Sequence, residues 1–108
     1  MANTFKSYTK ADVGLTTSDA YTVPAGTVAV IIGCCLSNKT GDQVNASVII
    51  NKSVGDDVYL IRNMPIPNGS AFEFNSGSKI ILETGDKIQV VSDTASSVDA
   101  MISVLEQT

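Results

Sequence analysis

The sequence predicts an all-β fold: a single β-sandwich, jelly-roll-like, of about eight antiparallel strands. Three observations carry this expectation. Val and Ile together number 22 against 5 Leu, and 10 Thr bring the β-branched total to 32 of 108 residues. Such side chains fit a pleated strand and crowd a helix. Apolar residues alternate with a period of two along several segments, and turn chemistry recurs between them at the spacing of a sandwich or small barrel. The length suits one ordinary domain, and a hydrophobic content of 44% can supply a core without disulfide staples. The chain divides into an N-terminal arm or edge segment, 1–20, and a sandwich domain, 21–108.

Residues 1–20 are polar and weakly patterned, with Lys6 and Lys10 balancing Asp12 and Asp19. Tyr21-Thr22-Val23 leads into the turn Pro24-Ala25-Gly26, and a long strand is expected over Thr27 to Ser37. Asn38-Lys39-Thr40-Gly41-Asp42 is a dense turn signal. Val44 to Asn51 alternates cleanly, with Val44, Ala46, Val48 and Ile50 on one face, and Gly55-Asp56-Asp57 ends it. Val58 to Met64 is the next strand. Pro65-Ile66-Pro67-Asn68-Gly69 reads as a loop, because proline cannot donate to a central ladder.

Ala71 to Phe74 is a short strand, followed by a turn at Ser76-Gly77-Ser78. Lys79 to Glu83 and Lys87 to Asp93 are expected to form a hairpin through Thr84-Gly85-Asp86, with Gly85 at positive φ. Val98 to Glu106 closes the fold. Period-two placement puts Phe72, Phe74, Ile80, Leu82, Ile88, Val90, Ile102 and Val104 in the core, with Val98 and Ala100 on the same face as the last two.

Composition narrows the chemistry. The chain has no His, which removes the usual general base, the commonest metal ligand and the near-neutral pH switch. A Ser or Cys triad is therefore excluded, and no local signature marks a Ser–Lys dyad. Asp56, Asp57, Glu83 and Asp86 fall in turns, where Asp bonds the local backbone, so a glycosidase pair is not indicated. Adjacent Cys34 and Cys35 point to opposite faces of a strand and read as two reduced, buried thiols, too few for a zinc set. No calcium loop or phosphate-cradling glycine motif occurs. A net charge of −4 argues against nucleic-acid binding. The start shows no secretory signal, and the apolar run Val28 to Leu36 is too short to span a bilayer as a helix. The sequence thus predicts a non-enzymatic protein with no cofactor, metal, nucleic-acid or membrane partner.

Strand phase supplies a candidate site. If Val28, Val30, Ile32, Cys34 and Leu36 face the core, then Ala29, Ile31, Gly33 and Cys35 face away. Ile49, Ile61, Val91, Met101 and Leu105 also fall out of phase with the core set. A monomeric sandwich would carry polar residues there, so Ala29, Ile31, Cys35, Ile49, Ile61, Met101 and Leu105 form a candidate subunit contact. The alternative is that the N-terminal arm covers this band within one subunit.

Four segments carry a family resemblance: Tyr21-Thr22-Val23-Pro24-Ala25-Gly26-Thr27, Met64-Pro65-Ile66-Pro67-Asn68-Gly69-Ser70, Leu82-Glu83-Thr84-Gly85-Asp86-Lys87-Ile88 and Ser103-Val104-Leu105-Glu106. Together they resemble the small β-sandwich virion structural proteins of tailed bacteriophages, over about Tyr21 to Glu106. The resemblance implies a homo-oligomer, with a trimer as one arrangement, made in the host cytoplasm and assembled onto the virion. Its partners would be the major capsid protein, as a decoration or cement protein, or neck and tail proteins. The Ser, Thr and Asn content of 29 against 18 charged residues suits a surface that assembles in many copies without strong self-repulsion. A carbohydrate-binding or adhesin module contacting the host surface is the alternative function. Such sites favour aromatic platforms, and this chain has no Trp and three Tyr.

Overall fold

The computed structural model describes residues 3–74 and 80–108, Phe74 through its backbone alone. The expected turn at Ser76-Gly77-Ser78, the strand start at Lys79 and the core placement of Phe74 lie outside the described residues. Among the described residues nine strands follow in order: β1 (Asn3–Val13), β2 (Ser18–Thr22), β3 (Val28–Asn38), β4 (Val44–Asn51), β5 (Val58–Ile66), β6 (Ala71–Phe74), β7 (Ile80–Leu82), β8 (Lys87–Ser92) and β9 (Val98–Gln107). They form two antiparallel sheets. Sheet A has the order β1-β9-β3-β6, with β7 also paired to β3, and sheet B has the order β2-β8-β4-β5.

This order is a jelly roll. β4 and β5 make a hairpin, and outward from it β3 pairs with β6 and β7, β2 with β8, and β1 with β9. The chain is one long antiparallel ribbon. Wrapping that ribbon into two layers adds the β3–β9 and β4–β8 ladders.

Alternation sends one side of each strand between the sheets. Leu36, Leu82, Ile88, Val90, Ile102, Val104, Val44, Val48, Val98 and Ala100 are buried there, and Phe72 and Ile80 pack partly buried against them. Each wholly buried Val, Ile or Leu contributes roughly 1.5–3 kcal/mol. Every buried side-chain nitrogen or oxygen among the described residues has a hydrogen-bond partner.

Four local expectations are corrected. Residues 80–82 and 87–92 do not form a hairpin. β7 belongs to sheet A and β8 to sheet B, so the turn between them carries the chain from one layer to the other. Gly85 nevertheless has φ +88, and the Asp86 N–H donates to the Glu83 carbonyl at 3.0 Å. The strand ending at Met64 instead runs on through Pro65 to Ile66, opposite Asn45 and Val44. Proline is tolerated because β5 is the edge of sheet B and needs no donor on its outer side.

Strand β3 changes phase midway. Ala29 and Ile31 are buried in the core, 0% and 8% exposed, whereas Val28 and Ile32 are exposed. The cause is a register shift between Ile31 and Gly33 against β9, which inserts Ile32 as an extra residue. Beyond it Cys34 and Leu36 face inward. Ile61 also faces inward, paired with Val48 and packed against the core, because β5 has its own register shifts against β4.

Candidate functional site

Because successive side chains of a strand alternate, the outer face of sheet A is built from every second residue of its strands. The ladders fix which of them are neighbours. Phe5 of β1 lies opposite Leu105 of β9, Leu105 opposite Val30 of β3, and Val30 opposite Ile81 of β7. These four side chains form a continuous apolar row across the whole sheet. Phe5 is 75% and Ile81 61% exposed, and Leu105 and Val30 are half-buried between them. Exposed Val28 and the bulge residue Ile32 flank the row on β3.

A second row runs four residues further along β1 and β9. Thr9 lies opposite Met101, Met101 opposite Cys35, and Cys35 opposite Glu73. Between the rows stands a lower one, Ser7, Ser103 and Gly33, and a Cβ placed on Gly33 would meet no atom within 4 Å. The face therefore reads as a ridge, a trough and a second ridge. Among the described residues its charged groups are Glu73 and Asp99, at the end remote from Phe5, and Asp99 is paired with Lys39 at 3.0 Å.

The outer face of sheet B differs. Asp19 accepts from Gln89 at 2.8 Å and pairs with Lys87 at 3.3 Å, with Asn45 and Asn51 on the same side. Ile49 lies between Gln89 of β8 and Tyr59 of β5. Of the seven residues expected at a subunit contact, Cys35, Met101 and Leu105 thus share the outer face of sheet A. Ile49 sits on the opposite sheet, Ala29 and Ile31 are buried in the core, and Ile61 packs partly buried against it. The β3 bulge displaced the first two, and its signal was Gly33 inside an apolar run, a common mark of a bulge. The same bulge brings Val28, Val30 and Ile32 outward. Segment β1 does not cover the apolar band; it joins the edge of sheet A and adds Phe5 to it.

Two buried carboxylates invite comparison with a reactive site. Glu106, 3% exposed, accepts from the phenols of Tyr21 at 2.6 Å and Tyr8 at 2.9 Å and pairs with Lys6 at 3.4 Å. Burial would raise its pKa, but Tyr21, Tyr8 and Lys6 together hold it below the ordinary value. The Tyr21 phenol is raised by burial and by the same carboxylate. Because Tyr21 is on β2 and Glu106 on β9, this contact ties the two sheets together.

Asp86 is wholly buried. It accepts from the Ser53 N–H at 2.9 Å, the Ser53 hydroxyl at 3.2 Å, the Glu83 N–H at 2.9 Å and the Lys52 ammonium. Burial opposes its ionisation, yet Lys52 and the two backbone donors outweigh it and bring the pKa down to about 2. Both carboxylates are ionised and fully occupied as acceptors, so neither is poised to take or give a proton near neutrality. Buried Cys34 is pushed up to about 11 by burial and by Cys35, and stays a thiol. No group of three or more metal-ligating side chains occurs among the described residues.

Compared with protein-family models, with curated proteins and with solved structures, the chain matches none.

Proposed function

We propose that this chain is a non-enzymatic structural protein of a tailed-phage virion. It is an oligomeric building block that attaches to the capsid surface as a decoration or cement protein, or to the neck or tail. The observation that carries the reading is the exposed row Phe5–Leu105–Val30–Ile81 on the outer face of sheet A. Contiguous apolar surface on a soluble domain marks a contact site, and aromatic and large aliphatic anchors dominate the energetics of such sites. The virion assignment rests on the resemblance of the four segments. Apart from exposed Leu15, Val54, Val58 and Tyr59, the rest of the exterior is mainly polar and lightly charged, which suits dense packing of copies around a shell.

The arrangement supports attachment. The rigid sandwich presents the row on strands held by main-chain ladders, so little side-chain freedom is lost on docking. The test is quantitative electrophoresis of purified particles of the encoding phage, followed by add-back of the chain to particles stripped of it. A structural protein is present in many copies per particle, and Ile81→Lys lowers its rebinding. A protein absent from particles, or one that instead binds glycans with the row unused, refutes the reading.

A further inference from the structure

We propose that β1 pairs edge to edge with β1 of a second copy of this chain, antiparallel about a two-fold axis through Ser7 and perpendicular to sheet A. The inference goes beyond the attachment reading. It concerns the rim of the sheet and leaves the outer face free for a particle.

Among the described residues, sheet A is bounded by β1 on one side and by β6 and β7 on the other, and sheet B by β2 and β5. Each such edge is a row of unpaired N–H and C=O groups, whose complement is another extended strand. Three of these edges are interrupted. β2 has five residues and a register shift between Asp19 and Tyr21. β5 has two register shifts against β4, left-handed backbone at Asn63 (φ 51), and Pro65. The edge opposite β1 is divided between β6, with four residues, and β7, with three. Bulges, proline and short length deter a further strand. β1 has none of these over Thr4 to Lys10. Its register with β9 is unbroken from Asn3 to Lys10, and that segment holds neither proline nor glycine.

Edge lysines are another deterrent, and β1 carries Lys6 and Lys10. Lys6 is taken up by Glu106 at 3.4 Å, and Lys10 lies within electrostatic reach of Asp19 on β2. Charge then selects the register. A two-fold axis perpendicular to the sheet keeps outward side chains on the outer face, so it must pass through a residue. Centred on Lys6, it sets Lys6 against its own copy. Centred on Tyr8, it sets Lys6 against Lys10. Centred on Phe5 or Thr9, it shortens the overlap, in the second case by running into the irregularity between Lys10 and Val13.

Centred on Ser7, the whole segment Thr4 to Lys10 overlaps. Ser7 meets Ser7, Lys6 meets Tyr8, Phe5 meets Thr9 and Thr4 meets Lys10, with no like charges directly opposed. The strand is its own complement, and every contact occurs twice, as an isologous interface requires. About seven facing pairs supply about six to eight main-chain hydrogen bonds, because alternate pairs exchange two each. The joint also lengthens the contact surface. Phe5 of one copy abuts Thr9 of the other, so the row through Leu105 continues into the row through Met101 and Cys35 of the second copy.

Sedimentation equilibrium on the full chain tests this. The wild type should show twice the mass of the 11.3 kDa chain. Ser7 is exposed, so Ser7→Asp and Ser7→Lys leave the fold intact, as circular dichroism will verify. Each variant sets like charges opposite one another on the axis and should raise the dissociation constant at least ~10-fold. Mixing the two should restore the dimer, since opposite charges then meet. In the wild type, hydrogen exchange at alternate amides of Thr4 to Lys10 should be slower in concentrated than in dilute protein. A wild type that stays monomeric at high micromolar concentration overturns the pairing. So does a trimer, a dimer that Ser7→Asp leaves intact, or exchange along β1 that is indifferent to concentration. Rebinding to stripped particles separates this from the functional reading. A dimer that binds no particle ends that reading and keeps the pairing. A monomer whose rebinding falls with Ile81→Lys does the reverse.

Discussion

Replacing Asp86 by Ala removes a single buried carboxylate on which two distant turns converge. Asp86 lies where the chain passes from sheet A to sheet B, and Lys52 and Ser53 belong to the turn of the β4–β5 hairpin. The alanine variant leaves the Ser53 and Glu83 N–H groups without their acceptor and the Lys52 ammonium facing only Glu83 at 3.5 Å. Hydrogen bonds to a charged acceptor are worth about 1.5–3 kcal/mol each, and breaking a buried ion pair by removing one partner costs about 3–5 kcal/mol. These overlap, so the expected loss is about 3–5 kcal/mol in all. With a urea slope near 1.5 kcal/mol/M, the unfolding midpoint should fall by roughly 2–3 M. Acid titration gives an independent reading. Because the folded pKa of Asp86 is depressed to about 2 from the ordinary carboxylate range near 4, its contribution is complete above about pH 4 and is lost as pH falls through about 2. Asp86→Asn should lack this acid-dependent component while keeping the shape of the site. A midpoint shift below about 0.5 M in the alanine variant, or an unchanged acid profile in Asp86→Asn, refutes the reasoning.

Three further outcomes are expected. Tyr21→Phe removes the 2.6 Å hydrogen bond to Glu106 without changing ring packing and should cost about 1–3 kcal/mol in chemical denaturation, more than Tyr8→Phe, whose phenol is only partly buried. Gly85→Val meets both a φ of +88 and the Ser53 side chain at 3.1 Å, so it should destabilise by about 1–3 kcal/mol, and an unaltered melting temperature would count against the turn geometry. Thiol labelling without denaturant should modify Cys35 on the outer face well before buried Cys34, and equal rates would show that sheet A opens as fast as its surface reacts.

The alternation of Val44–Asn51 and Val98–Gln107 made those strands legible, because a strand with one buried face writes its period into the sequence. Jelly-roll type was accessible from strand number and spacing, whereas strand order was not, since it depends on which distant segments pair. The error at residues 80–92 shows this: two strands joined by a tight turn look like a hairpin whether they share a sheet or cross between layers. The contact face was half legible. Met101 and Leu105 lie on a strand of uniform phase and were found. Ala29 and Ile31 precede a bulge that inverts the period, and apolar residues on both faces of β3 left the two phases indistinguishable by composition. Phe5 was missed because one aromatic among polar neighbours carries no periodic signal. Asp86 read as ordinary turn chemistry, and only three-dimensional packing reveals that Ser53, 33 residues away, shares it.

The ribbon topology also fixes an order of events as the chain leaves the ribosome. The β4–β5 hairpin closes over a short loop, while β1 must wait for β9, and loop closure across nearly the whole chain is the slowest kind. Strand β9 is moreover the middle of sheet A, flanked by β1 on one side and β3 on the other. Until it has emerged, β1 has no ladder and the Phe5–Ile81 row does not exist. A nascent chain therefore cannot assemble the Phe5–Leu105–Val30–Ile81 row before β9 has emerged, and until then these apolar side chains are not gathered on one face.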